Sequence, residues 1–295
     1  MSLALKPLLL FLVLCALNPL PSVESAIPFI TTLQNLRGIS RGQNADGVGI
    51  LRIYLKSLGY QVNEKSPSDN NFDANDESAL KQYQAFHGLH TSGVVDDQTI
   101  ETMSLPRCGI PDITATPNPN PNPNGLSSSP PQNYSYFPGN PKWSKFNLKY
   151  RVTANPSNVA VSLNVLRQVL SNALNTWRQN NSFTFNETTG VSDIVAGFQR
   201  LSHGDGNPFD GRGGVLAHAF APQDGRMHLD ADERWSTTGI SPTIDLETVC
   251  LHELGHNLGL GHSNDPNAVM APTYAGVRRT LRQDDKDGLN NLYGF

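Results

Sequence analysis

The residues best placed to do chemistry lie between 252 and 262: His252-Glu253-Leu254-Gly255-His256, then Gly259 and His262. Histidines four apart stand one turn apart on the same helix face, so both imidazoles can reach one metal ion. Glu253, directly after the first ligand, can reach a water on that ion. Gly259 can end the helix in a left-handed conformation, and Gly261 keeps the turn open so that His262 returns as a third ligand. Three nitrogens around an open fourth position are the arrangement of a hydrolytic zinc, with Glu253 as general base. The short His-Glu-x-x-His run occurs by chance; its extension through Gly259 and His262 is far more specific.

Six of the eight histidines fall between 203 and 262. His203, Asp205, His218 and His228 offer three imidazoles and a carboxylate, which suits a closed, structural zinc site. Interleaved with them is an oxygen-rich set. Asp210, Asp230 and Glu233, with carbonyls of the loop bearing Gly211, Gly213 and Val215, suit calcium. Far upstream, Cys108 lies in Pro106-Arg107-Cys108-Gly109-Ile110-Pro111-Asp112, a segment unable to be helical. Its sulfur can serve as a thiolate ligand, and Arg107 and Asp112 can clamp the turn. The competing reading pairs Cys108 with Cys250 in a disulfide.

The elements that must position these groups follow from periodicity. Asp245 caps the helix carrying His252 and His256, Glu247 puts negative charge in its first turn, and Leu246, Val249, Leu254 and Leu258 form its buried face. Val269 to Tyr274 can form a tight turn below the metal, with Met270 packed there. Phe146, Leu148, Tyr150 and Val152 alternate as a half-buried strand. Asn158 or Ser157 caps a long helix with an apolar stripe from Val159 to Trp177. Strands are expected at Phe183–Phe185 and Asp193–Phe198, and a last helix over 282–293. The mixture indicates an α/β (α+β) domain with one principal sheet. Residues 29–102 read as a small three-helix bundle, in which His87 and His90 are structural or solvent-facing.

The chain has 295 residues and a net charge of −4, with no basic patch to suggest nucleic acid. Residues 1–25 read as a signal peptide and 26–112 as a helical prodomain. A Pro/Asn/Ser-rich linker and activation region at 113–136 contains four consecutive Pro-Asn repeats. The zinc domain then occupies 137–295. No apolar run is long enough for a stable membrane anchor. Secretion to the extracellular space or cell wall is expected, with Asn133, Asn180 and Asn186 as glycosylation sequons.

Three stretches carry a family resemblance. Leu51 to Tyr60 and Gln84 to Leu89 resemble a peptidoglycan-binding-like domain. With the zinc motif, Pro106 to Asp112, Ser263 and Met270, nearly the whole chain resembles the matrix metalloproteinases (matrixins), specifically the short plant-type members without a hemopexin domain. The resemblance implies a metzincin-type zincin with a five-stranded, mostly parallel twisted sheet and three helices. It implies that Cys108 ligates the catalytic zinc in the zymogen, that Met270 is the Met-turn, and that Pro272 and Tyr274 wall the pocket for the residue after the scissile bond. Thr248 falls where that pocket's size is adjusted. Ile110 stands where valine is more usual, and Cys250 where a small or apolar residue is.

The expected activity is therefore a zinc endopeptidase acting on extended polypeptides held along an edge strand near Val215–Ala219. The prodomain is its internal inhibitor, activation comes by another protease or self-cleavage, and the protein is a monomer. Two other readings compete: a glycan-binding protein whose zinc domain is non-catalytic, and a peptidase of a neighbouring metzincin group.

Overall fold

A computed structural model describes residues 26–295 except 114–131, 155 and 180. The expected signal peptide, the Pro-Asn repeats and Asn180 lie outside the described residues.

The amino-terminal part has four helices, not three: α1 (Ala26–Asn35), α2 (Val48–Ser57), α3 (Ala74–Phe86) and α4 (Asp97–Met103). The unforeseen α1 has only ten residues, too few to be stable alone. Packing holds it, with Leu33 and the following Leu36 buried beside Leu51, Leu55 and Leu80. Asp73 and Asp76 close a capping box on α3, and Asp96 caps α4 through the Thr99 amide. Arg52 makes a two-pronged buried pair with Asp76, at 2.8 Å from both Nε and Nη2.

The larger part begins with a strand donated from upstream, β1 (Arg107–Cys108). It continues with β2 (Asn147–Val152), α5 (Leu163–Trp177), β3 (Thr184–Glu187), β4 (Ile194–Gln199), β5 (Val215–Ala219), β6 (Arg226–Asp230), β7 (Trp235–Ser236), β8 (Ile244–Asp245), α6 (Leu246–Asn257) and α7 (Gln283–Tyr293). The main sheet runs β1-β5-β6-β4-β2-β3, and β7 and β8 form a separate pair. Only β5–β6 is antiparallel within it. The zinc domain thus supplies the five expected strands, and the Arg107–Cys108 segment adds a sixth. Leu148, Ile194, Ala196 and Leu229 on the sheet share one core with α5 and α6. The Trp177 indole ties those helices together by donating to the Leu251 carbonyl at 2.7 Å.

Two expectations need correction. The cap of α5 is Ser162, whose hydroxyl accepts from the Val165 amide. Asn158 sits at φ 61°, so the chain is still turning there. The expected linker also ends earlier than 136. Tyr134 is buried, Tyr136 bridges Leu260, and the Ser135 carbonyl accepts from the Gly261 amide at 2.7 Å. Aromatic burial pulls this stretch onto the zinc domain. No helix among the described residues is long and apolar enough to cross a membrane.

Candidate active site and metal centres

Helix α6 starts at Asp245, whose carboxylate accepts from the Thr248 amide and hydroxyl at 2.9 and 2.6 Å. It ends with Gly259 at φ +102°, a conformation that costs glycine little. The reversal returns His262 to His252 and His256. One donor atom from each of these histidines and from Cys108 lie within 4.8 Å of one another, all on buried residues. His252 Nδ1 donates to the Val269 carbonyl at 2.7 Å and His256 Nδ1 to the Leu260 carbonyl at 2.8 Å. Those bonds turn both Nε2 lone pairs inward, toward Cys108 Sγ at 3.4 Å from His256 Nε2.

Several polar atoms here are buried without a hydrogen-bond partner: His252 Nε2, both nitrogens of His262 and both carboxylate oxygens of Glu253. Burial pushes the pKa of His252 and His262 far down, helped by the neighbouring imidazoles, and that of His256 to about 4. All three are therefore neutral, as metal ligands must be. Burial drives the Cys108 thiol well above its ordinary range, with the Glu253 carboxyl adding to the rise. Burial likewise raises Glu253 to about 8, partly opposed by Cys108. Orphaned lone pairs beside groups that cannot ionise unaided need a cation, and three nitrogens with one sulfur fit tetrahedral zinc.

Cys108 is held in place from both sides of the cleft. The Arg107 amide donates to the Gly214 carbonyl and the Gly109 amide to the Ala217 carbonyl, both at 2.8 Å. From the opposite wall, the Cys108 amide donates to the Pro272 carbonyl and the Tyr274 amide to the Pro106 carbonyl. The segment runs parallel to β5. Arg107 and Asp112 form the expected clamp, at 2.5 Å. Two partners were missed: the Tyr60 hydroxyl and His87 Nε2 lie 3.0 and 3.2 Å from Asp112 Oδ2. Burial opposes ionisation of Asp112, but Arg107 and His87 outweigh it and hold the carboxyl below its usual range. His87 is structural, as expected. Cys250 is free and fully buried, so the alternative disulfide is absent.

Below the histidines, Met270 is fully buried against Gly255, where an added Cβ would overlap its sulfur. Asp285 accepts from the Val269 and Met270 amides, both at 3.0 Å, and fixes that turn. Ser263 ties the turn to α7: its amide donates to the Met270 carbonyl at 2.9 Å and its hydroxyl donates to Asp284 at 2.6 Å. Thr248, Pro272 and Tyr274 line a cavity of about 30 Å³ together with His252 and Glu253.

The second histidine cluster also assembles. His203 Nε2, His218 Nε2 and His228 Nδ1 lie 2.9, 2.7 and 2.8 Å from one oxygen of Asp205. His203 Nδ1 donates to the Leu201 carbonyl at 2.8 Å, so in the neutral ring a lone pair faces that carboxylate. The juxtaposition fits a second zinc. Asp210, Asp230 and Glu233 form no third group of this kind among the described residues. Glu233 accepts from the Gly213 amide and Asp210 from the Val215 amide, while one Asp230 oxygen is buried without a partner. Burial raises Asp210 and Asp230 to about 6 and Glu233 to about 7. Of the described sequons, Asn186 is exposed on β3 and Asn133 is half-buried.

Comparison with known proteins agrees with this geometry. Residues 142–294 match the Matrixin family model, and residues 44–103 match a peptidoglycan binding domain. Metalloendoproteinase 1 of Glycine max is 37% identical over 266 residues, covering 86% of this chain and 84% of that protein. Matrilysin of Homo sapiens is 38% identical over 292 residues, covering 96% of each. Metalloendoproteinase 5-MMP of Arabidopsis thaliana is 34% identical over 276 residues, covering 89% of this chain and 75% of that protein. A non-catalytic glycan-binding protein does not account for matches that span both parts. With a catalytic-type zinc cluster closed by a cysteine from its own upstream segment, the chain belongs to the matrixin family of zinc-dependent endopeptidases.

Proposed function

We propose that the protein is secreted as a latent zymogen, with residues 26–112 as prodomain and residues from about 132 onward as the enzyme. The observation that carries this reading is the place of Pro106–Gly109: it fills the cleft between β5 and the Pro272–Tyr274 wall by backbone hydrogen bonds while Cys108 completes the histidine cluster. Cutting within 114–131 frees that segment. An extended substrate then takes the same edge of β5, its side chains alternating into pockets.

His252, His256 and His262 would hold zinc, which when bound would supply Lewis acidity toward water and a peptide carbonyl. Glu253, whose carboxylate oxygens are buried without a protein hydrogen-bond partner, takes a proton from the attacking water once the Cys108 thiol leaves. It then returns the proton to the departing amine. The β5 edge and the Tyr274 amide orient the peptide, and the buried walls exclude other water. The His203 cluster holds a structural zinc. Asp210, Asp230 and Glu233, with the Gly211, Gly213 and Val215 carbonyls, hold calcium, which answers three buried carboxylates of raised pKa. The extracellular space or cell wall is its place of action, and Asn186 is the sequon most open to glycosylation.

The test uses full-length protein with zinc on a peptide library. Cys108→Ser should give activity without cutting. Glu253→Gln in that background should lower kcat by about 10²–10⁴-fold while zinc stays bound. A Cys108→Ser protein as latent as wild type, or a Glu253→Gln protein still active, refutes the reading.

A further inference from the structure

Beyond the carboxyl ends of β2, β4 and β6, the loops that follow these strands enclose a cavity of about 550 Å³. The three strands run parallel to one another. The order β4-β2-β3 sends the chain first to one side of β2 and then to the other, and open sheets take ligands in the crevice outside such a reversal. Arg200 at the end of β4, Arg212 in the loop before β5 and Arg234 after β6 all line the cavity. Arg200 is committed: its Nη1 pairs with Asp232, and its Nη2 donates to the Ser157 carbonyl at 3.1 Å. Arg212 and Arg234 are exposed and, among the described residues, have no hydrogen bond or ion pair. The other carboxylate of the lining, Glu233, is buried and turned to the Gly213 amide, and Arg212 acts on it only through space. One exposed arginine is ordinarily just solvated. Here two open on the same hollow, in a chain whose net charge is −4.

We infer that this cavity binds an acidic oligosaccharide, whose carboxylate or sulfate groups are taken by Arg212 and Arg234, and so holds the protein on a polyanionic glycan. A guanidinium is more weakly hydrated than an ammonium, and its planar fork meets such an anion with two parallel hydrogen bonds. On the same lining the exposed Ser157 hydroxyl and Asn158 amide can donate to and accept from sugar hydroxyls. The one aromatic residue there, Trp235, is buried with its indole donating to the Asp230 carbonyl, so no ring face is offered for a nucleobase to stack on. No member of the His252 cluster lines the cavity, so glycan binding and peptide hydrolysis stand or fall separately.

The experiment titrates full-length protein at low salt with an oligogalacturonate, its methyl ester, a heparin-derived oligosaccharide and poly-glutamate, read by calorimetry. An acidic sugar should bind, and the methyl ester should not; the tighter of the two acidic sugars identifies carboxylate or sulfate as the preferred anion. Arg212→Gln and Arg234→Gln should each weaken binding about three- to tenfold, and together by more than tenfold. Arg234→Lys, which keeps the charge and loses the fork, should fall between wild type and Arg234→Gln. Binding should fade as salt rises. Arg178→Gln removes an exposed arginine outside the cavity and should leave affinity unchanged. Because Arg212 lies inside the oxygen-rich loop, the Arg234 variants decide if Arg212→Gln lowers Tm. No binding of either acidic sugar, equal binding of the methyl ester or of poly-glutamate, or a loss with Arg178→Gln as large as with Arg234→Gln overturns the inference.

Discussion

Asp112 is where latency can be broken without replacing a histidine or Cys108, although its Oδ1 lies 3.7 Å from His262 Nδ1. Its carboxylate is fully buried and takes Arg107 Nη2, the Tyr60 hydroxyl and His87 at 2.5, 3.0 and 3.2 Å. The last two belong to the helical bundle, so the carboxylate joins the Pro106–Asp112 segment to that bundle as well as folding the segment on itself. Asp112→Asn keeps the volume and removes the charge, leaving the Arg107 guanidinium buried with no counter-ion; its Nη1 already lacks a partner. Removing one partner of a buried pair costs about 3–5 kcal/mol. Once undocked, the segment is hydrated, so the cost falls on the latent state alone. At about 1.4 kcal/mol per factor of ten, the docked-to-undocked ratio drops between about a hundred- and a few thousand-fold. The assay is alkylation of Cys108 in the uncut chain, with the fully buried Cys250 as an internal slow reference, read beside peptide hydrolysis. Tyr60→Phe, which loses one hydrogen bond to a charge worth about 1.5–3 kcal/mol, should have a smaller effect in the same direction. Because Arg107 and His87 hold Asp112 below its usual range, the clamp is complete above about pH 4 and fails only as pH falls through the lower folded value. Mild acid near pH 5 should therefore not open it. Cys108 reactivity in Asp112→Asn within about threefold of wild type would refute a clamp of the size expected for a buried pair.

Three further outcomes follow from the zinc domain. Gly255→Ala places a Cβ against the Met270 sulfur and near Trp177; overpacking of about 1–3 kcal/mol should lower Tm by several degrees, and an unchanged Tm would mean the turn below the histidines yields freely. Asp245→Ala removes the α6 cap and should cost about 0.5–2 kcal/mol or more. Burial opposes ionisation of Asp245, but Arg279 and Thr248 keep its carboxyl below the ordinary range. Its contribution is therefore present above about pH 4 and lost as pH falls through the folded value; a wild-type-minus-variant stability gap persisting undiminished at pH 2 would contradict it. For the oxygen-rich loop the sign is opposite. Burial holds Asp210 and Asp230 up to about 6 and Glu233 to about 7, so without a cation the folded state carries extra protons and loses stability as pH rises from about 4 through 7. A calcium-selective chelator should then lower Tm more at pH 7.5 than at pH 5, and an equal effect at both would argue against calcium there.

What could be read from the residues alone, and what could not, divides by the range of the interaction. His252, His256, Glu253 and the Gly259 turn are spaced by one helix and its end, so local geometry made them legible. His203 to His228 were legible because few other roles suit three histidines and an aspartate in 26 residues of strand and loop. Helix α1 escaped because its ten residues are stabilised by Leu33 and Leu36 in a core made elsewhere. The Asp112 partners escaped for the same reason at longer range: Tyr60 and His87 are 52 and 25 residues away and read locally as members of the bundle. Asp285 stands in the first turn of α7, where nothing local marks it as also the acceptor that fixes the Met270 turn. Most telling is β1. Two residues carry no alternation, so nothing local could show that Arg107 and Cys108 would become the sixth strand beside β5. Cys108 alone explains how the histidine cluster is filled. Strand β1 explains why the thiol is presented there: Arg107–Gly109 takes the edge of β5, and in the latent-zymogen proposal an extended peptide would have to compete for the same backbone donors and acceptors before meeting the metal ligands.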